Sequence, residues 1–128
     1  MTDRELYLYA KKQLKYAYAP YSKLHVAAAL ECEDGTVFTG VNVENSSYGA
    51  TICAERTAMV KAISEGHKDF KNIAVVCQDG TAWPCGICRQ FMFEFGDDIR
   101  VISGMDEDHI EVYTISELLL NGFRLENK

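Results

Sequence analysis

Leu24-His25-Val26-Ala27-Ala28-Ala29-Leu30-Glu31-Cys32-Glu33, then Asp34-Gly35, then Thr36-Val37-Phe38-Thr39-Gly40-Val41: two runs of strand character meet at a dipeptide that favours a tight turn. A hairpin here makes the sheet antiparallel where it starts. Downstream the pattern alternates. Residues 53–65 predict a helix ended by Gly66, 73–77 a short buried strand, 78–84 a loop, and 85–95 a helix ended by Gly96. Residues 99–102 and 110–113 predict strands, and 116–120 a short helix capped by Ser116 or Thr114. Upstream, Leu6, Tyr9, Ala10, Leu14 and Ala17 recur at helical spacing over 3–18, with Asp3 as cap and Pro20 as breaker. Residues 42–51 are polar and read as a loop. Strands alternating with helices after an opening hairpin imply an α/β fold. The expected form is a three-layer α/β/α sandwich on a mixed, roughly five-stranded sheet.

The 128 residues supply one domain's length, and the chain is read as a single domain over 1–128. A net charge of -6 disfavours nucleic acid as a partner, because basic patches supply most of that affinity. A neutral or cationic small ligand fits better. The longest strictly apolar run, 26–30, falls far short of the roughly 20 residues a membrane span needs. No apolar h-region follows the opening Met1-Thr2-Asp3-Arg4-Glu5-Leu6, so the expected compartment is the cytoplasm, where thiols stay reduced. Five cysteines then point to metal binding or catalysis rather than to disulfides.

Cys85-Gly86-Ile87-Cys88 follows Pro84 at the start of a predicted helix. Cysteines at i and i+3 share a helical face, and the partial positive charge of a helix N-terminus favours the thiolate that binds metal. Cys53 opens the other helix in the same way. Three thiolates from two helix starts would hold Zn²⁺ and leave one tetrahedral position open, the pattern of a catalytic site. Glu55, two residues after Cys53, is placed to take a proton from water at that position and pass it on. Arg56 is the nearby cation that would drain charge from the sulfurs. Taken alone, Cys85-Gly86-Ile87-Cys88 leaves metal and thiol-redox readings open, since Trp83-Pro84-Cys85-Gly86-Ile87-Cys88 also resembles a thioredoxin-type motif. There the Trp directly precedes the first Cys, whereas Pro84 intervenes here, and a redox reading gives Cys53, Glu55 and Arg56 no task. A structural zinc module is the third reading; the open position and Glu55 argue against it.

Cys53-Ala54-Glu55 and Pro84-Cys85-Gly86-Ile87-Cys88 fill the signature of the zinc nucleobase deaminases, with Cys53 where that signature has His. Beyond it, the chain resembles the small homotetrameric cytidine deaminases over nearly its whole length. The matching stretches are Ala17-Tyr18-Ala19-Pro20-Tyr21-Ser22, Gly40-Val41-Asn42-Val43-Glu44-Asn45, Cys53-Ala54-Glu55-Arg56-Thr57-Ala58 and Pro84-Cys85-Gly86-Ile87-Cys88-Arg89-Gln90, with Glu117-Leu118-Leu119 and Phe123 near the end. The resemblance implies one Zn²⁺ per subunit and hydrolytic deamination of cytidine and deoxycytidine to uridine and deoxyuridine, in pyrimidine salvage. It gives Glu55 the proton transfers, Asn42 and Glu44 the ribose, the Trp83 carbonyl the departing amine, and the Ala54 backbone the pyrimidine carbonyl. It also implies a homotetramer in which Tyr48 and Phe123 of a neighbouring chain complete the pocket.

The sequence departs from that pattern at three places. Leu24 stands where Phe usually packs on the base, Ala27 where Gly is usual, and Leu120-Asn121-Gly122 lacks the usual Pro. A related aminopyrimidine nucleoside, of the blasticidin S kind, is the alternative substrate. Cys32 and Cys77 are expected as small buried hydrophobes. His25, His67 and His109 show no ligand spacing, and Asp106, Glu107 and Asp108 read as a solvated turn.

Overall fold

Thr2 starts the first helix. In the computed structural model, which describes residues 1–125, its side chain accepts from the Glu5 backbone N–H while the Glu5 carboxylate returns to the Thr2 N–H. This capping box opens α1 (Asp3–Lys11), with Leu6, Tyr7 and Ala10 on its buried face. The helical spacing of 3–18 is therefore only half realised. α1 stops at Lys11, a separate 3₁₀ turn covers Leu14–Tyr16, and Tyr9 stands 39% exposed. Asp3 caps nothing, because its carboxylate takes both Nη atoms of Arg100, at 3.0 and 2.8 Å.

β1 (Val26–Cys32) and β2 (Val37–Val41) form the expected hairpin, and Gly35 supplies the positive φ of +91° at its turn. α2 (Ala54–Ser64) follows, then β3 (Phe70–Cys77), β4 (Gly80–Thr81), α3 (Gly86–Phe93), β5 (Arg100–Asp106), β6 (His109–Thr114) and the single turn α4 (Ile115–Leu118), capped by Thr114. The sheet runs β2-β1-β3-β5-β6, with β4 paired to β3 off that path. Only β3 and β5 are parallel, so the sheet is mixed as expected. The residues between them contain α3, the kind of long crossover a parallel pair requires. β4 lies inside a stretch the sequence reads as loop; two residues carry no periodicity for a reader to detect.

Helices cover both faces. α1 packs Leu6, Tyr7 and Ala10 on Ala29, Ala74, Val76 and Ile102. On the other face Ala54, Ala58, Met59, Met92 and Ile115 pack on Ala28, Leu30, Ile73, Val75 and Val101. Each large aliphatic side chain buried there contributes about 1.5–3 kcal/mol. β1 lies between both layers, and Ala27, Ala28 and Ala29 are wholly buried. Helix and sheet approach most closely at Gly40: a Cβ there would lie 2.4 Å from the Ala58 backbone N and 2.6 Å from the Ala54 carbonyl. α2 thus rests directly on β2, which fixes where the start of α2 must lie.

Candidate metal centre and active site

Two helix starts converge on one point. Cys53 is the N-cap residue of α2 and Cys85 that of α3, and neither side chain makes a capping hydrogen bond. Their sulfurs are 3.8 Å apart, and those of Cys53, Cys85 and Cys88 all lie within 4.8 Å of one another. A tetrahedral zinc with bonds of about 2.3 Å spaces its sulfurs about 3.8 Å apart, so the thiol cluster suits this ion with little movement. Among the described residues this is the only group of three or more potential ligands brought so close. Three soft donors favour zinc over harder cations.

Charge in the cluster is uneven. The hydrogen bond shared with Cys88 draws the Cys53 thiol well below the usual range, against the cost of burial, and Arg56 helps. The same sharing, with burial, pushes the Cys88 thiol up. Arg56 Nη2 lies 3.6 Å from the Cys53 sulfur, so the expected cation is in place. Glu55, in the first turn of α2, is only 4% exposed. Burial pushes its carboxyl up to about 7, opposed by the helix backbone and reinforced by the Cys53 charge. A carboxyl poised near neutrality exchanges protons readily in either direction at working pH.

Cys53, Cys85 and Glu55 face a cavity of about 330 Å³. Asn42 and Glu44 also line it, on a segment held in register by paired hydrogen bonds between Val43 and Ile52 and by Tyr18. Both side chains have local duties that the sequence did not disclose. The Asn42 amide donates to the Leu24 carbonyl at 2.8 Å and accepts from the Val26 N–H at 2.9 Å. The Glu44 carboxylate accepts from the Tyr21 and Ser22 backbones at 3.0 and 3.1 Å, and from the Ser22 hydroxyl. One N–H and one lone pair of Asn42 remain for a ligand. Those donors hold the Glu44 carboxyl below the usual carboxylate range.

Leu24 and Trp83 line the cavity, Leu24 at 40% exposure and Trp83 with its ring set edge-on to Tyr113. Ala54 is wholly buried and packs in the core. Ala27 is buried too and does not line the cavity, so of the two departures in this strand region only Leu24 borders the ligand space. Tyr48 and Phe123 do not reach the cavity of their own chain. Tyr48 is 87% exposed beside a neighbouring groove that also includes Glu44, and Phe123 is 65% exposed, its carbonyl held by Gln90 at 2.8 Å. Sequence reasoning missed Val26, Thr51, Ile52, Val75, Thr81 and Ala82 as cavity walls. Cys77 is buried as expected, donating to the Thr81 carbonyl at 3.5 Å, but it also lines the cavity.

A family model described as "Cytidine and deoxycytidylate deaminase zinc-binding region" matches residues 1–105. The cytidine deaminase of Sporosarcina psychrophila is 45% identical over 130 residues, covering 99% of this chain and 95% of its own. A probable cytidine deaminase of Dictyostelium discoideum is 58% identical over 90 residues; the match covers 69% of this chain and spans 61% of that protein's length. The crystal structure of cytidine deaminase from Burkholderia pseudomallei superposes with a TM-score of 0.90 at 43% identity, covering 96% of this chain and all of the other. A blasticidin-S deaminase of Bacillus cereus is more distant, 30% identical over 126 residues, with 91% of this chain and 89% of that protein covered.

Proposed function

The chain belongs to the family of cytidine and deoxycytidylate deaminases, and on that premise we propose that it hydrolyses cytidine and deoxycytidine to uridine and deoxyuridine, releasing ammonia. The observation that carries this reading is the meeting of three sulfurs close together, with two of them, Cys53 and Cys85, and the buried Glu55 carboxyl facing one cavity. Cys53, Cys85 and Cys88 would hold zinc, and the bound ion would supply the Lewis acidity that makes water a nucleophile at neutral pH.

The rest is work for this chain's own groups. Glu55 takes one proton from the attacking water and delivers it to the ring nitrogen; it then takes the second from the hydroxyl newly formed on the ring carbon and gives it to the amine as the C–N bond breaks and the carbonyl forms. Water's oxygen ends on the ring carbon, and the amine departs as ammonia. The Trp83 carbonyl accepts from that amine, and the Ala54 backbone holds the pyrimidine carbonyl. Asn42 and Glu44 bind the ribose, with Glu44 opposing a phosphate and so favouring the nucleoside. Leu24 packs on the base. Arg56 balances the thiolate charge. The catalytic unit is a single domain over 1–128, working as a cytoplasmic homotetramer in pyrimidine salvage, with Tyr48 and Phe123 closing a neighbour's pocket. Among the described residues no helix is long and apolar enough to cross a membrane.

The test is incubation of the purified, zinc-loaded protein with cytidine, deoxycytidine, cytosine and blasticidin S, following ultraviolet absorbance and ammonia. Turnover of the two nucleosides well above the other two is expected. Faster turnover of blasticidin S, or none of cytidine, overturns the assignment.

A further inference from the structure

We propose that Ser103 is a positioning residue for this reaction, acting through the backbone of Ala82, Trp83 and Pro84 at the cavity wall; the inference rests on the functional reading above. β3 and β5 pair only from Asn72 with Arg100 to Ala74 with Ile102. Past that point β4 pairs with β3 through Val76 and Cys77. Ser103, the next residue of β5, is a wholly buried polar side chain at this seam. Its hydroxyl donates to the Val75 carbonyl at 2.9 Å and accepts from the Ala82 N–H at 2.9 Å. Val75 and Ala82 both line the cavity. One hydroxyl therefore ties the strand beneath the cavity to the segment that leads into Cys85.

A second side chain grips the same segment from its other end. Arg89 Nε donates to the Pro84 carbonyl at 2.7 Å, and its Nη1 to the Leu118 carbonyl at 2.8 Å. Pro84 has no N–H to donate, and the hold on its carbonyl comes from the Arg89 side chain. The two grips fall on the residues either side of Trp83, whose carbonyl accepts no hydrogen bond from any described residue. A carbonyl fixed on both flanks and left unpartnered on a cavity-lining residue is a preorganised acceptor, and in a deaminating site the amine is the donor that needs one. An apolar residue at 103 would free that wall and leave the Ala82 N–H and Val75 carbonyl without a partner.

The experiment compares Ser103→Ala and Ser103→Thr with the unaltered enzyme, all zinc-loaded. Trp83 is the single tryptophan of the chain, so its fluorescence reports on this segment directly. For Ser103→Ala the expected result is full zinc content, kcat on cytidine about tenfold lower, KM within about threefold, and Trp83 more open to acrylamide quenching. Ser103→Thr, which keeps the hydroxyl, restores both kcat and quenching. Unchanged kcat in Ser103→Ala overturns the proposal, as does a lowered kcat with unchanged quenching. Should Ser103→Ala fail to fold, Ser103→Cys, of similar size with a weaker hydrogen-bonding group, must show both defects in smaller degree or the proposal falls. Quenching is read without substrate. An unaltered chain that leaves cytidine intact overturns the functional reading, while the quenching difference still judges the grip on Trp83.

Discussion

Glu55 shows what burial does to one carboxyl. Charge is costly beneath the cavity wall, so the group titrates near 7 rather than in the usual carboxylate range. Glu55→Gln keeps the shape and the hydrogen bonding of one oxygen but removes the proton carrier. The expected outcome is unchanged zinc content and unfolding temperature with kcat lowered about 10²–10⁴-fold, checked by metal analysis, thermal melting and steady-state kinetics. Turnover near that of the unaltered enzyme would remove Glu55 from the chemistry. Glu55 and the three cysteines were legible because their relation is local: a helix start, and spacings of two and three along it. Asn42 was legible as a polar residue near the site, but its bonds to Leu24 and Val26 were not, since those partners lie sixteen or more positions away. Ser103 gave no signal at all. A serine in a strand looks the same whether its hydroxyl meets water or two backbone groups.

Among the elements, α1 is fastened to the sheet by a polar chain at its first residue. Asp3 pairs with Arg100, Arg100 donates to Asn72 at 2.9 Å, and Asn72 donates to Glu31 at 2.8 Å, joining α1, β5, β3 and β1. The Arg100 hydrogen bonds hold the Asp3 carboxyl below its ordinary value despite partial burial. Burial opposes ionisation of Glu31, but Asn72 and the terminal ammonium outweigh it, so that carboxyl is lowered as well. For carboxyls lowered by folding, the stabilisation is present above their unfolded values and is lost as pH falls through the folded ones. Arg100→Met is therefore expected to melt a few degrees below the unaltered protein at pH 7, about 1 kcal/mol once solvent screening of the half-exposed pair is counted, with the gap narrowing below about pH 4 to the part owed to the Asn72 hydrogen bond. Melting curves from pH 7 to 3 check this; a gap that does not narrow in acid would show that the Asp3 pairing contributes nothing. Sequence pattern found these elements but misjudged their ends. The 3–18 periodicity ran past Lys11 because Leu14 still meets the core from a 3₁₀ turn, in a different helical phase.

At the scale of the molecule, layer order was legible and strand order was not. The alternation of helices and strands gave the sandwich and the hairpin gave β1 beside β2, yet β1 also pairs with β3 across 38 to 51 residues, which no local pattern encodes. The isolated chain leaves Tyr16, Tyr48, Leu120 and Phe123 largely exposed. Exposed aromatic and large apolar side chains are the kind that a neighbouring chain would cover. Sedimentation is expected to give about four times the 14.4 kDa of one chain, and a 14.4 kDa species at micromolar concentration would sink the shared-pocket reading. The alanines of β1 carry a last consequence. Squeezed between both helical layers, Ala27, Ala28 and Ala29 act as a shim whose thickness sets the whole stack. A bulkier residue there would wedge the layers apart, whereas Leu24, half-exposed on the cavity rim, has room to be exchanged without disturbing the stack.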